Sequence, residues 1–571
     1  LSGISSDKIL TFLGPLFRYF KEVGFFTEEF KGKKLLLDLV GGAVRDHIIN
    51  TDPRVQSALR SRGREHLIGK PIKDLDLSTN ASPETVVALV RALANPSKYA
   101  ASAASSKEAK WWEQWKNYKV NYIEGLGEQH GTVAFVFNYE GSGVEDQQIE
   151  ITTHRSEEYD DEGRKPSKVT FSDEKDDAVN SRLKDSTRRD LAFNSMYMDE
   201  KGNVIDPHGG VQDLISGTLS IPRKEGESPY QAAMRVLKED PLRFLRWIRF
   251  SGAYSAKPVP EILRALKDLK GTATVTLDDG STMNLKDLNI ASLVKERVAG
   301  NRKQVEISKI ISHGGYTDGF KMMSDHGVYA HTFPNADSFH TAQGLLKNFE
   351  AAGIKGVAVL TALYYHQPVE HLKKDLGLNP KAGKSEARKS LNFSSQDLST
   401  ATSLLVAVQS FSAELSHHTD ERLAKGLVDK LGGLAPLAIK MMTLAHPEAT
   451  KRLAGLPSVI KGLGAHIKED LSGLNYPPVT GADIIRETGL KGPAIKVVMD
   501  SLKEAFRRHD VDYEEAMSFV RHVANKIKSG SIDVNNMQLN HANYSDILSG
   551  FKTTKMASRV VRSYLSKINF Y

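Results

Sequence analysis

The spacing of apolar residues changes once along this chain, near residue 215, and that change decides what the chain can fold into. Up to that point, short apolar runs of strand length stand between helical stretches. Beyond it helical spacing dominates to the end, broken by Gly and Pro near 255–260, 313–317, 379–384 and 471–480. The split predicts an α/β front third and an all-α remainder. A chain of 571 residues is too long for one core, so about three or four domains are expected.

The front third carries the chemistry. Leu35 to Val40 reads as a buried strand that stops at Gly41 and Gly42, where the missing Cβ lets backbone turn tightly and approach a ligand. A helix from Ala43 would offer free N–H groups and Arg45 to an anion such as a triphosphate. Asp74-Leu75-Asp76 then sets two carboxylates at i and i+2 on a second strand. Both acids share one face while Leu75 and Leu77 point into the core. Two aligned carboxylates suit a pair of divalent metals roughly 4 Å apart. A lone D-x-D is usually a solvated strand edge and a lone GG usually a turn, so the argument rests on their combination.

Two further strands are expected, Gly131 to Phe137 and Gln148 to Thr152, and in the second Glu150 faces away from Ile149 and Ile151. If these arms join the sheet of Asp74 and Asp76, Glu150 becomes the third carboxylate. Residues 4–30 predict a packing helix, and Ser82 and Pro83 start another that runs to Ala94. Residues 47–70, polar and rich in Arg, read as a loop or insertion. In 96–116 the tryptophans of WWEQW read as a packed cluster rather than a base-stacking platform. The charge-dense 155–187 reads as a mobile loop. Ala192 to Met198 looks strand-like, followed by a turn at Asp206-Pro207-His208-Gly209-Gly210.

Arg188-Arg189-Asp190 with Asn194 places two guanidiniums beside one acid, a set suited to phosphate oxygens and ribose hydroxyls or, more simply, to a surface ion-pair cluster. Glu239-Asp240-Pro241-Leu242-Arg243 leads into Arg246 and Arg249. On one helix, Asp240 and Arg243 would share a face. Cytosine and adenine each show an amino donor beside a ring-nitrogen acceptor, whereas uracil and guanine show a carbonyl beside an N–H. An Asp acceptor next to an Arg donor therefore matches C and A, and leaves groups unpaired against U and G at roughly 1–3 kcal/mol each. The competing reading makes Asp240 an N-cap with Pro241 in the first turn. A helix begun earlier, at Ser228-Pro229, would relieve Asp240 of that duty. Lys295-Glu296-Arg297 through Arg302, Glu306 and Lys309 reads as structural. His509-Asp510 lacks a partner set for a metal-dependent hydrolase, and His417-His418 point to different helix faces.

Composition narrows the classes. The 77 basic residues against 70 acidic ones leave a net +7, which permits a polyanionic partner without requiring it. With no cysteine, disulfides, Cys-ligated zinc and thiol catalysis are excluded. No apolar run reaches membrane-spanning length, so no membrane span is expected. The chain starts at Leu1 rather than Met, so a fragment or processed form is expected.

Taken in order, GGAVRD, DLD, HGTV from His130, EITTHR, RRDLAFN, DPHGGVQDL and EDPLRFLRWIRF resemble the class II CCA-adding tRNA nucleotidyltransferases, a branch of the polymerase-β-like superfamily. The resemblance covers most of residues 35–310. A fainter echo, Gly481-Ala482-Asp483 through Gly492-Pro493, is similar to the family's tail. It implies an α+β fold class: a nucleotidyltransferase head (1–217), then all-α neck (218–315), body (316–455) and tail (456–571). It also implies Asp74, Asp76 and Glu150 as the catalytic carboxylates, with Asp74 and Asp76 holding the metal, Mg2+. Gly41, Gly42 and Arg45 would lie at the phosphates. Arg189, Asp190 and Asn194 would meet ribose and phosphates, Glu239, Asp240 and Arg243 would select the base, and Arg246 would bind the nucleotide. Expected substrates are CTP, ATP and the tRNA acceptor end, with a monomer favoured. An intracellular home is expected, the cytoplasm first, with mitochondrion or nucleus as alternatives. Residues 155–187 would match the family's flexible loop, and Lys552, Lys555, Arg559, Arg562 and Lys567 would contact tRNA. The chain departs from the family in the long gap between Asp46 and Asp74, in insertions at 96–116 and 257–287, and in His154, where a larger apolar residue is commoner. A poly(A) polymerase or a CC-only enzyme would share the head motifs, and a non-catalytic RNA-binding protein is the alternative from another class.

Overall fold

The computed structural model describes residues 3–125, 131–158, 168–171, 177–271, 273–276, 281–378, 383–415, 427, 431–447, 453–456, 479–508, 513–535, 547 and 549–551. His130, residues 159–167 and 172–176, His417-His418, His509-Asp510 and the basic residues from Lys552 onward lie outside them. The chain divides into two compact units, Leu1–Ala299 with Asp325–Val328, and Gly300–Ser324 with Tyr329–Tyr571.

In the first unit, α1 (Ser6–Phe26) forms where apolar side chains recur at helical spacing, burying Ile9, Leu13, Leu16 and Phe20. Strand β1 (Leu37–Val40) runs into α2 (Gly42–Thr51), which is followed by α3 (Pro53–Ser61). The expected loop at 47–70 is therefore mostly helical. Val55 and Leu59, four apart and fully buried, anchor α3, and Asp52 caps it by accepting from Arg54 N. Strand β2 (Leu75–Thr79) leads to α4 (Pro83–Ala94), capped by Ser82 as expected. Next come α5 (Pro96–Ala101) and α6 (Ser106–Glu113). Here Trp111, Trp112 and Trp115 are buried against Tyr19, so the packed reading of WWEQW holds.

Strands β3 (Tyr118–Ile123), β4 (Thr132–Tyr139) and β5 (Gln147–Thr153) follow, then a small hairpin of β6 (Arg155–Glu158) and β7 (Lys168–Phe171). The charge-dense segment thus holds a hairpin and then α7 (Ala178–Thr187), not a loop throughout. The expected strand at 192–198 is a single 3₁₀ turn followed by a two-residue β8 (Tyr197–Met198), which pairs with β9 (Val204–Ile205). A seven-stranded sheet results, in the order β3-β4-β5-β2-β1-β8-β9. Its one parallel pair is β2 with β5; every other pair is antiparallel.

The turn before α8 (Gly210–Ser216) is built by Asp206, which accepts from Gly210 N and Val211 N. Strand β10 (Thr218–Leu219), α9 (Pro229–Glu239) and α10 (Arg243–Tyr254) follow, with a capping box at Ser228. This region is not all-α: β10 pairs with β11 (Lys257–Pro258), and β12 (Ala273–Thr276) with β13 (Thr282–Leu285) forms a hairpin inside the expected insertion. The expected head and the expected neck up to Ala299 share this first unit, and the remainder of the expected neck falls in the second. Arg62 donates to the carbonyls of Leu214, Ile215 and Tyr254, and Arg64 to that of Gly252, so cations sit at the C-terminal carbonyls of α8 and α10.

The second unit is helical in its described part. Asp337 accepts from His366 N and Gln367 Nε2, and Asp375 from Asn335 and the Tyr364 hydroxyl, which satisfies both buried acids. Near the end, helices Gly481–Thr488, Pro493–Arg508 and Tyr513–Lys528 enclose a core of Ile484, Val498, Phe519, Val520 and Val523. The G-x-D start is a capping box between Thr480 and Asp483, and Gly489, at φ +71°, ends the helix. Among the described residues no helix is long and apolar enough to cross a membrane.

Two expectations test this packing. A Cβ at Gly210 would sit 2.6 Å from the Ala192 carbonyl oxygen and 2.7 Å from Phe193 Cα, backbone that cannot swing aside. Gly210→Ala should therefore cost about 1–3 kcal/mol in urea unfolding. His154, fully buried, lies between Ser181 Oγ at 2.6 Å and Ser78 Oγ at 3.2 Å. Burial pushes its pKa down to about 4 from 6.5, so the unfolded chain binds the proton first and stability falls as pH drops from 6.5 toward 4. Wild type should lose about 2 kcal/mol more than His154→Gln between pH 7 and pH 5, read from paired unfolding curves.

Candidate active site

Strand β1 ends at Gly41, whose φ of +72° is the left-handed region that favours glycine. Its N–H donates to the Met196 carbonyl, and its own carbonyl accepts from Arg45 N in the first turn of α2. A Cβ at Gly41 would lie 3.6 Å from the Asn194 carbonyl and 3.7 Å from Arg189 Nη1. The glycine turn, the RRD segment and Asn194 therefore meet at one place.

Beside them, Asp76 on β2 stands directly opposite Glu150 on β5 in the parallel register. Leu75, Leu77, Ile149 and Ile151 are buried on the other face, as strand alternation requires. Asp74 sits just before β2, exposed. Burial, then the charge of Glu150 and less strongly that of Asp74, raise the Asp76 carboxyl to about 6, against the opposing pull of Arg189. The three predicted carboxylates are thus gathered and repel one another. Among the described residues no ready-made cage of three or more His, Asp or Glu side chains is present. An all-oxygen set crowded with like charge nevertheless fits Mg2+, which takes one or two carboxylates and completes its shell with water and phosphate.

Four of the predicted nucleotide residues form one hydrogen-bonded chain. Arg45 Nη1 donates to Asn194 Oδ1 at 2.6 Å, Asn194 Nδ2 to Asp190 Oδ1 at 3.2 Å, and Arg246 to Asp190 Oδ2 through Nε and Nη2 at 2.8 and 2.5 Å. Arg45 also pairs with Asp46 and lies over the rings of Phe250 and Tyr254. Its guanidinium is thus held inside the protein, where the expectation had it directed at an anion. It packs beneath Gly42, where a Cβ would lie 3.3 Å from Nη2.

At the segment expected to read the base, the expected single helix is broken. Asp240 ends α9 with extended backbone (φ −146°, ψ 100°), and α10 starts at Arg243, so the two do not share a helix face. The earlier start at Ser228 makes Asp240 the C-cap of α9 and Leu242 the N-cap of α10, yet the Asp240 carboxylate still meets local backbone, its Oδ1 accepting from Leu242 N at 3.2 Å. Arg243, largely buried, donates through Nη1 to Glu239 Oε2 at 2.8 Å and through Nη2 to the Arg188 carbonyl at 3.0 Å. The Glu239 carboxylate also pairs with Arg235, so Glu239 braces Arg243. Arg297 donates to the carbonyls of Lys238 and Glu239, which makes it a clamp on the end of α9.

Sequence reasoning missed Asp185. This buried carboxylate accepts from Arg188, Arg189, Tyr197 and the backbone of Arg155. Although burial opposes ionisation, Arg188 and Arg189 hold it far below the usual carboxylate range. The signal was present, since Asp185 stands three and four residues ahead of two arginines at a helix end. Asp38 was missed too: it lies buried in the apolar run of β1, paired with Arg182 through both oxygens.

Comparison with known proteins follows the same lines. Residues 101–220 match the Poly A polymerase head domain family. A CCA-adding enzyme of Enterococcus faecalis is 27% identical over 249 residues, 44% of this chain and 44% of that protein. One of Streptococcus uberis is 30% identical over 204 residues, 36% of this chain and 38% of that protein. The chain therefore spans less than half the length of these curated relatives. Bacillus stearothermophilus CCA-adding enzyme in complex with CTP is a solved structure 19% identical to this chain, with a TM-score of 0.39 over 90% of this chain and 99% of that one. The motif order, the head-domain match and the curated relatives agree: this chain resembles the class II CCA-adding tRNA nucleotidyltransferases.

Proposed function

We propose that this chain adds C, C and A to the 3′ end of tRNA from CTP and ATP, without a nucleic-acid template. The observation that supports it most is the register of Asp76 with Glu150, next to Asp74, Arg189 and the Gly41 turn. In the reaction the tRNA 3′-oxygen bonds to the α-phosphorus as the bond to pyrophosphate breaks, and the 3′-hydroxyl proton is released. Mg2+, held by Asp74 and Asp76 with Glu150 beside them, would stabilise the attacking and leaving oxygens as a Lewis acid. Arg189 orients and neutralises the triphosphate from the side of the glycine turn. Gly41 and Gly42 let backbone approach it, while Arg45 and Asn194 hold that turn in place. Asp190 would accept from the ribose as well as anchor Arg246. Asp240 and Arg243 present an acceptor and a donor to the base, and Glu239 keeps Arg243 aimed. The helical body and tail would hold the tRNA acceptor arm by shape and phosphate contacts.

A tRNA lacking its CCA end, given CTP and ATP, should gain three nucleotides and then stop. Long A tails would establish the poly(A) polymerase reading instead, and stopping after two C residues the CC-only reading. Asp76→Ala should lower turnover about a thousandfold, with Glu65→Ala, at an exposed carboxylate paired only at the surface with Arg60, as the control. Arg243→Ala should keep the fold yet raise misincorporation of UMP and GMP relative to CMP by about tenfold to a hundredfold in single-nucleotide competition.

A further inference from the structure

We propose that Asp185 is a positioning residue for nucleotidyl transfer: it sets the orientation of Arg189 against the catalytic carboxylates before substrate arrives. This rests on the reading of the head given above. Asp185 occupies the last turn of α7, where a carboxylate is unfavourable because the carbonyl end of a helix is already negative. Helix stability therefore does not account for it, and its partners do. One oxygen accepts from Arg188 Nε at 3.1 Å and Arg155 N at 3.2 Å; the other accepts from Arg189 Nη2 at 3.2 Å and the Tyr197 hydroxyl at 2.5 Å.

The consequence falls on Arg189. Its Nη2 is held by Asp185, its guanidinium carbon stands 5.9 Å over the Tyr197 ring, and its Nη1 is turned to the Gly41 backbone. Its buried Nε has no hydrogen-bond partner among the described residues. Tyr197 pairs with Val40, the residue before Gly41, so the same hydroxyl ties the Asp185 anchor to the strand that ends at the turn. A free arginine side chain samples many rotamers, and fixing one in advance removes that ordering from the reaction step. Donors fixed before charge develops are the form of electrostatic stabilisation that lowers barriers most.

The test is a double-mutant cycle on the full chain, reading kcat and KM for CTP with tRNA lacking CCA. Asp185→Asn should lower kcat/KM about tenfold to a hundredfold, mostly in kcat, while Tyr197→Phe should cause a smaller loss in the same direction. Asp185→Asn combined with Arg189→Ala should be within about threefold of Arg189→Ala alone, because Asp185 acts through Arg189. Multiplied losses would overturn the proposal, as would Asp185→Asn within twofold of wild type. If Asp185→Asn does not fold, as thermal melting would show, the cycle is run with Tyr197→Phe and the same criteria apply. A wild-type chain that extends no tRNA and binds no CTP by calorimetry would refute the function of the head itself, an outcome seen before any variant is made.

Discussion

The parallel pairing of β2 with β5 is the constraint from which the rest of the head follows. The strands are some seventy residues apart, and a parallel pair needs a crossover between its members. Helices α4 to α6 and the antiparallel strands β3 and β4 are that crossover, with the tryptophan cluster filling the space against α1. Once the register aligns Leu75 with Ile149 and Leu77 with Ile151, Asp76 and Glu150 must stand side by side on the opposite face. Like charges so placed on neighbouring strands destabilise a sheet. The apolar face binds the pair together regardless, and Arg189 offsets part of the repulsion that raises the Asp76 carboxyl.

Arginines then join this sheet to the helices beyond it. Arg62 and Arg64 hold helix C-termini, Arg45 reaches from α2 to the rings of α10, and Arg246 answers from α10 to Asp190. Each guanidinium has several fixed donors, so it can satisfy more than one acceptor where a lysine would meet them singly. The end of the site that would take phosphates and the end that would take a base are thereby parts of one compact unit. That coupling explains why residues that look like ligands in the sequence, Arg45 above all, are held by protein partners in the structure.

What was legible in the sequence depended on whether one pattern or two acted at a position. Strand alternation placed Asp76, Glu150, Leu75 and Leu77 correctly because nothing competed with it. In 47–70 the abundance of Arg concealed the buried pair Val55 and Leu59, so a helix was read as a loop. Strand β13 of the β12–β13 hairpin buries Leu285 and leaves its other three residues exposed, too little for a strand pattern to announce itself. Asp185 was passed over, despite its spacing to Arg188 and Arg189, because an acid in a charged segment looks solvated until the fold buries it. His154 likewise gave no sign of the two serines that satisfy it, since Ser78 and Ser181 are far away in the chain.

The break at Asp240 carries the most instructive difference. A continuous helix would have put Asp240 and Arg243 on one face with free rotamers, and such a pair could follow many ligands. Instead Pro241, which has no N–H to donate and a fixed φ, sits between a carboxylate held by Leu242 N and a guanidinium braced by Glu239 and the Arg188 carbonyl. Discrimination by hydrogen bonding is strongest when the protein's groups cannot adjust to the wrong partner, for only then is a mismatch left unpaired. The same carboxylate-to-backbone contact that would argue against a base-reading role for Asp240 therefore supplies the rigidity that such a role requires. Because Arg188 braces Arg243 with its carbonyl and meets Asp185 with its side chain, the contacts that would aim Arg189 extend through the backbone to Arg243, the residue proposed to face the base.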